Sequence, residues 1–393
     1  MASQPPADSP RNLAVLLFAR TSLNLQYRIV YPFLPVISRG LGVPLEVASL
    51  LLTVRSFFGV LSPLYGVAAD RYGRRPLMLA GLLALSAGAV IAALSPGIGI
   101  ALIAFALLGF SKAAFDPAMQ AYVGDAVPYA RRGRVLSLLE LSWSASWFIG
   151  VPLAGFVIAG FTWRAPFVLI ALAGGLSVLA LGTLCPGCGQ SATLATGASL
   201  LEGFRKVPWR RALPVLAFSV LLTLGNENVF IVYGAWLEQQ FGLAVTAIGI
   251  ASLVISVAEL TAEFASAGLV DRVGKRRSVL LGTFLSVAAY LVLLPLARGL
   301  GGGLAGIALM FLTFEFSIVA SIPLISEVAP ATRGTLLALN VSAAALGRML
   351  GSLTGPRLWS AYGLSGVALA SAGFALMAAL ILWSRREEQL IAS

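Results

Sequence analysis

The chain has 393 residues, 59% hydrophobic and only 11% charged, with a net charge of +11, two cysteines and no histidine. Soluble domains carry roughly 25% charged residues, so this composition cannot dress a water-facing globular surface. Structural zinc normally wants four nitrogen or sulfur ligands, so no metal and no cofactor is expected.

Apolar runs of ~20 residues, enough to cross a bilayer, recur from end to end. Hydrocarbon offers the backbone no hydrogen-bond partners, which leaves helices or closed barrels. The runs are continuous rather than alternating, so the expected fold is an all-α membrane protein with twelve transmembrane helices. They are placed at about 12–38, 45–69, 76–95, 98–123, 134–160, 165–185, 212–238, 244–268, 277–296, 303–326, 335–357 and 364–384. Residues 1–11 form a tail, 12–185 a first six-helix bundle, 186–211 a linker, 212–385 a second bundle and 386–393 a second tail.

Met1–Pro10 is polar and lacks the basic start and cleavage site of a signal peptide, so the first helix is expected to stay. Loops after even-numbered helices hold Arg71, Arg74, Arg75, Arg131, Arg132, Arg134, Arg205, Lys206, Arg210, Arg211, Arg272, Lys275, Arg276, Arg277 and Arg333, and the tails add Arg11, Arg385 and Arg386. The other loops hold only Arg39, Arg164, Arg298 and Arg357. The positive-inside rule then puts both termini in the cytoplasm of a plasma (inner) membrane protein. The basic balance is thereby a topology signal, and no nucleic-acid partner is expected. Cys185 and Cys188 end helix 6 in a Cys-Pro-Gly-Cys turn, as a redox pair or as two unremarkable thiols.

The sequence repeats itself. Gly66-Val-Ala-Ala-Asp70-Arg71-Tyr-Gly73-Arg74-Arg75 follows helix 2, and Ala267-Gly-Leu-Val-Asp271-Arg272-Val-Gly274-Lys275-Arg276 follows helix 8, an offset of 201 residues from 70 to 271. Asp125-Ala-Val-Pro128 with Arg131-Arg132-Gly133 after helix 4 is matched by Glu327-Val-Ala-Pro330 with Arg333-Gly334 after helix 10. Asp70 and Asp271 at helix ends suit pairing with an arginine or with a neighbouring helix N-terminus. Gly73 and Gly274 suit a tight turn. These loops read as gates that clasp the inside shut, or simply as positive-inside loops.

With its 6 + 6 layout and this doubled loop, the chain resembles the major facilitator superfamily over residues 12–385. Gly150-Val-Pro152-Leu-Ala-Gly155 on helix 5 is similar to a signature of the family's drug:proton antiporters, with Val151 inserted and Phe156 where a second glycine would stand. On helix 4 the antiporters' glycine falls on Gly109, while Phe105 and Leu108 replace the expected Arg and Gln. The resemblance implies that helices 1, 2, 4, 5, 7, 8, 10 and 11 line a cavity and that 3, 6, 9 and 12 face lipid.

Ionisable residues inside a membrane cost ~2.5–3.5 kcal/mol each on insertion scales, so they mark cavities, pairs or relays. Helix 1 carries Arg20, Asn24, Arg28 and Tyr31 at i, i+4, i+8 and i+11, one stripe that faces water or substrate, or packs with a structural ion pair. Helix 2 holds Arg55. On helix 4, Lys112 and Asp116 at i, i+4 serve the cavity or neutralise each other. Arg20, Asp116 and Glu140 fall at similar depth and are candidates to pair. Glu140, Trp143 and Trp147 share one face of helix 5, where the indoles pack in the core or stack a ring or acyl chain. Helix 7 has Asn226-Glu227-Asn228, whose carboxylate is a site for a proton or a substrate cation, or bridges to Arg28 or Arg55. Helix 8 has Glu259 and Glu263, with Glu259 the deeper relay candidate. Glu315 on helix 10 and Arg348 on helix 11 both fall near the midplane and are candidates to pair.

The cations thus gather in the first half and the anions in the second, giving a cavity with one basic and one acidic wall. The expected function is alternating-access transport, not catalysis: proton-coupled efflux of a small amphipathic or organic compound by a monomer in a lipid bilayer. Protons are carried by Glu227, Glu259, Glu315 or Asp116. Transport of a zwitterion, organic anion or lysolipid is the alternative, and a membrane sensor or intramembrane enzyme the alternative of another class.

Overall fold

The structure, a computed structural model, describes residues 9–184 and 200–385. Cys185, Cys188, most of the linker, Arg386 and both extreme tails lie outside the described residues. Among the described residues there is no strand.

Helix α1 runs Pro10–Arg28 and Val30–Leu41, and α2 runs Leu45–Ala48, Leu50–Val60 and Ser62–Tyr72. Then come α3 (Arg74–Leu94), α4 (Ile98–Ala126), α5 (Tyr129–Ala145, Ser146–Gly150 and Val151–Gly160) and α6 (Ala165–Leu184). A short helix, Leu200–Lys206, leads to α7 (Trp209–Phe241). The second half continues with α8 (Val245–Ala251 and Leu253–Val273), α9 (Lys275–Leu296) and α10 (Leu300–Val328). The last stretch, Arg333–Trp383, breaks at Gly363 (φ 62°) into α11, 333–362, and α12, 364–383. Among the described residues, nine helices are long and apolar enough to cross a membrane when Pro330–Trp383 is counted once. Splitting it at Gly363 and adding the interrupted α1 and α2, which meet in a 114° bend, gives twelve.

The interruptions have local causes. Proline lacks the N–H that would bond four residues back. Pro32 frees the Arg28 carbonyl next to the break at Ile29, Pro63 frees that of Gly59 next to the break at Leu61, and Pro152 follows the π-turn Ser146–Gly150. At its start α1 is capped by the Ser9 hydroxyl, which accepts from the Asn12 N–H.

Two six-helix bundles follow from the repeat. At the end that carries the doubled loops, here called the basic end, Gly73 and Gly274 take φ of 94° and 95°, which only glycine adopts readily. Arg74 pairs with Asp70 and reaches Asp125 at the end of α4 at 3.2 Å, and Lys275 pairs with Glu327 at the end of α10. Arg75 donates to the Gly182 carbonyl of α6, while Arg276 donates to the Leu382 and Trp383 carbonyls of α12. Each loop thus ties α2–α3 or α8–α9 to the flanking helix of its own bundle and satisfies carbonyls that a helix end leaves open. The flanking helices α3, α6, α9 and α12 turn large apolar side chains outward, among them Leu83, Leu172, Leu281 and Leu376.

Candidate substrate cavity

The bundles touch along the end opposite the basic one. The Pro32 backbone of α1 lies so close to α7 that a Cβ on Gly234 would sit 2.2 Å from its carbonyl. Gly155 of α5 and Gly249 of α8 meet in the same way around the Phe33 ring. Small residues let membrane helices approach this closely, which gives the Pro152–Gly155 stretch a packing role at the closed end. Arg39 of α1 clamps Glu238 of α7 with two hydrogen bonds of 2.8 and 2.7 Å, and Ser360 of α11 donates to Glu46 of α2.

Toward the basic end the bundles part around a cavity of about 660 Å³. Its lining runs from exposed Gln120, Glu140 and Gly334 near the basic ends of α4, α5 and α11 to Tyr27, Arg55 and Arg348 at mid-depth. Of the residues expected in a substrate cavity, Arg20, Arg55, Lys112, Trp143 and Arg348 line it; so do the expected proton carriers Asp116 and Glu315, and Gly66 from the first loop.

Six others do not line it: Asn24, Arg28, Tyr31, Trp147, Asn226 and Asn228 are buried beside or beyond its floor. The reason is that α1 breaks at Ile29 and its outer half packs against α7, so the stripe enters the contact between bundles. Asn24 is held by Lys112 at 2.5 Å and Ser142 at 2.9 Å, and Asn228 accepts from Thr354 at 2.7 Å.

The charges pair by depth. Arg20 reaches Glu140 at 2.8 Å and Asp116 at 3.6 Å, the trio expected from counting residues along each helix. Lys112 lies 2.7 Å from Asp116. At the floor, Arg28 makes a two-pronged bridge to Glu259 across the bundles, at 3.1 and 2.9 Å. Its guanidinium lies 3.6 Å from the Trp143 ring centre and 4.6 Å from that of Trp147. Glu227 has no cation within 4 Å among the described residues; Tyr31 from the other bundle donates to it at 3.0 Å and Ser352 at 3.1 Å. The alternative of a bridge from Glu227 to Arg28 is therefore set aside, because Glu259 occupies that guanidinium. Glu315 and Arg348 likewise make no ion pair within 4 Å among the described residues.

The basic-end loops behave as bundle-internal ties. Asp70, Arg74, Arg75, Asp125 and Glu327 make the contacts given above, and Arg132 donates to the Val127 carbonyl at 2.8 Å. Arg71, Asp271, Arg272 and Arg333 are exposed. Among the described residues none of these loop ion pairs crosses from one bundle to the other.

Three contributors carried no signal in the sequence. Tyr27 lines the floor with the Arg55 guanidinium 3.8 Å from its ring centre. Phe230 stacks on Tyr31 at 3.8 Å and closes the floor with Phe311. Ser352 is one of many serine, threonine and glycine positions that look alike from sequence, and only its hydrogen bond to Glu227 singles it out.

A sequence model described as Major Facilitator Superfamily matches residues 16–211 and 215–392. An uncharacterized MFS-type transporter of Bacillus subtilis, YwfA, is 28% identical over 377 residues, covering 93% of this chain and 89% of that protein. The multi-drug resistance efflux pump PmrA of Streptococcus pneumoniae is 27% identical over 305 residues, 72% of each chain. A crystal structure of the peptide transporter POT in complex with sulfate superposes with a TM-score of 0.78 at 16% identity, covering 100% of this chain and 99% of that one.

Proposed function

Because the chain belongs to the Major Facilitator Superfamily, we propose that it is a proton-coupled secondary transporter that exports a small amphipathic organic compound across the plasma (inner) membrane by alternating access. The observation that carries this reading is the floor of the cavity: two carboxylates, Glu227 and Glu259, take part in the contacts that hold the bundles together there. Protonating Glu259 removes the charge that anchors Arg28. Protonating Glu227 removes the negative charge that strengthens the bond it accepts from Tyr31. Either step loosens the closed end, so proton binding biases the equilibrium between the two facing states. The cavity itself accepts an amphipathic guest, with Tyr27, Trp143 and Phe314 for an apolar body and ionic groups of both signs for a head.

By the positive-inside rule the basic end is cytoplasmic, with both termini there. The cavity then faces the cytoplasm in this conformation, the side from which an exporter loads. The Streptococcus relative is described as an efflux pump, which supports export as the direction. Proton antiport by a monomer completes the reading; Asp116 and Glu315 serve as proton carriers nearer the cavity mouth and wall.

The test is Glu227→Gln in proteoliposomes. Proton-driven flux is expected to fall at least tenfold, while exchange of cargo for cargo, which needs no net proton movement, persists. Proton-driven flux at the wild-type rate would remove Glu227 from the coupling.

A further inference from the structure

Among the described residues, two guanidiniums lining the cavity make no ion pair within 4 Å, and they come from opposite bundles. Arg55 of α2 is 2% exposed. One of its nitrogens donates to the Tyr27 carbonyl at 2.8 Å, whereas Nε and Nη2 have no partner although both are buried. Arg348 of α11 lines the same cavity and makes no ion pair within 4 Å among the described residues. Arg55 lies 3.8 Å from the Tyr27 ring centre and 5.2 Å from that of Tyr31, and Arg348 lines the same cavity as Arg55 and Tyr27. A buried cation without a partner is expensive, and it persists where a ligand supplies the missing acceptor. The other charges around this spot are Glu227, tied up by Tyr31 and Ser352, Glu315 on the neighbouring wall, and Lys112, which lies 5.9 Å from the Tyr27 ring centre and is paired with Asp116. None of them hydrogen-bonds to Arg55 or Arg348 among the described residues.

We propose that Arg55 and Arg348 form an oxyanion site that seats the carboxylate, sulfonate or phosphate head of the cargo, with its apolar body against Tyr27 and Trp143. This inference rests on the transport reading above and names the chemical class of the substrate. Guanidinium donors in a planar fork match an oxyanion two-pronged, which a lone ammonium does not. Because one arginine comes from each bundle, a head bound between them bridges α2 and α11, which already pack together one turn away at Gly59 and Ala345.

Matched naphthalene probes test it on the purified full-length protein: 1-naphthoate, 1-naphthalenesulfonate and 1-naphthyl phosphate as the anionic arms, 1-naphthalenemethanol as the neutral one and 1-naphthylmethylammonium as the cationic one. Binding is read by quenching of tryptophan fluorescence. At least one anion is expected to bind tenfold or more tightly than the alcohol and the ammonium, and the arm that wins identifies the head group. Arg348→Gln should abolish that preference, and Arg348→Lys should restore it in part. Arg55→Lys is the second variant, since it keeps a charge at a buried position that Gln would leave hollow. Equal binding of anion and alcohol, or an anion preference unchanged in Arg348→Gln, overturns the site. Flux in proteoliposomes separates the two readings: flux of the alcohol or ammonium without anion preference keeps the transporter and sinks the oxyanion site. Anion binding lost in Arg348→Gln, with no flux of any probe, keeps the site and sinks transport.

Discussion

Arg28 shows what a charged side chain needs in order to persist at this depth. It meets Glu259 with two hydrogen bonds, and its flat faces are covered by Trp143 and Trp147. Removing one partner of a buried pair costs ~3–5 kcal/mol, because the survivor stays charged without compensation. Glu259→Gln should therefore weaken the contact between bundles and populate a state parted at the end opposite the basic one. Spin labels placed across that end should show a second, longer distance, and a single unchanged distance would deny the bridge any conformational weight. The sequence marks both residues as conspicuous, because an ionisable group in an apolar run is conspicuous. It does not mark their pairing: 231 residues separate them, and depth counting cannot tell which of several carboxylates an arginine meets. Arg20 with Glu140 and Asp116 was legible because all three lie within one bundle at one depth. Tyr27 was not, since an uncharged aromatic in an apolar helix looks like core.

At the scale of elements, α11 owes its place to three glycines. Gly347, Gly351 and Gly355 recur every four residues and lie against Thr223, Glu227 and Asn228 of α7. Such small-residue stripes let helix backbones approach closely. A Cβ at Gly351 would stand 2.5 Å from that of Glu227, so Gly351→Val must push α11 away and disturb the Ser352–Glu227 bond. Overpacking of this kind typically costs ~1–3 kcal/mol. The melting temperature in detergent should fall by several degrees, whereas Gly373→Val, with nothing within 4 Å, should leave it unchanged. Equal melting of the two variants would mean that α11 is free to shift. Helix existence and order were readable from hydropathy, but most ends at the basic side were placed short. The expected starts at 134 and 335 lie at 129 and 333, and the end at 268 lies at 273. Hydropathy sees the hydrocarbon, while the helix continues through charged turns such as Arg131–Arg134 that stand in the headgroup layer.

For the molecule as a whole, the doubled loop fixed the two-bundle layout more firmly than hydropathy, because a repeat at one offset predicts which loops correspond. The conformation was not legible, since under the proposed alternating access one sequence must satisfy both facing states. What distinguishes them is a set of contacts at the closed end, of which Arg39–Glu238 is the most accessible. An exposed ion pair of this kind contributes only ~0.2–1 kcal/mol, enough to bias an equilibrium without freezing it. Replacing both residues, Arg39→Cys with Glu238→Cys, should allow an oxidant to lock that end and stop flux, with recovery on reduction. Undiminished flux in the oxidised protein would show that this end never opens during transport. Finally, α11 passes into α12 through Gly363 with no intervening loop. The helix that bears Arg348 therefore has no slack against one that lies in contact with acyl chains. A tilt of α11 in the proposed transport cycle would be transmitted to the annular lipid, which would make bilayer thickness and lateral pressure parameters of that cycle and not merely its setting.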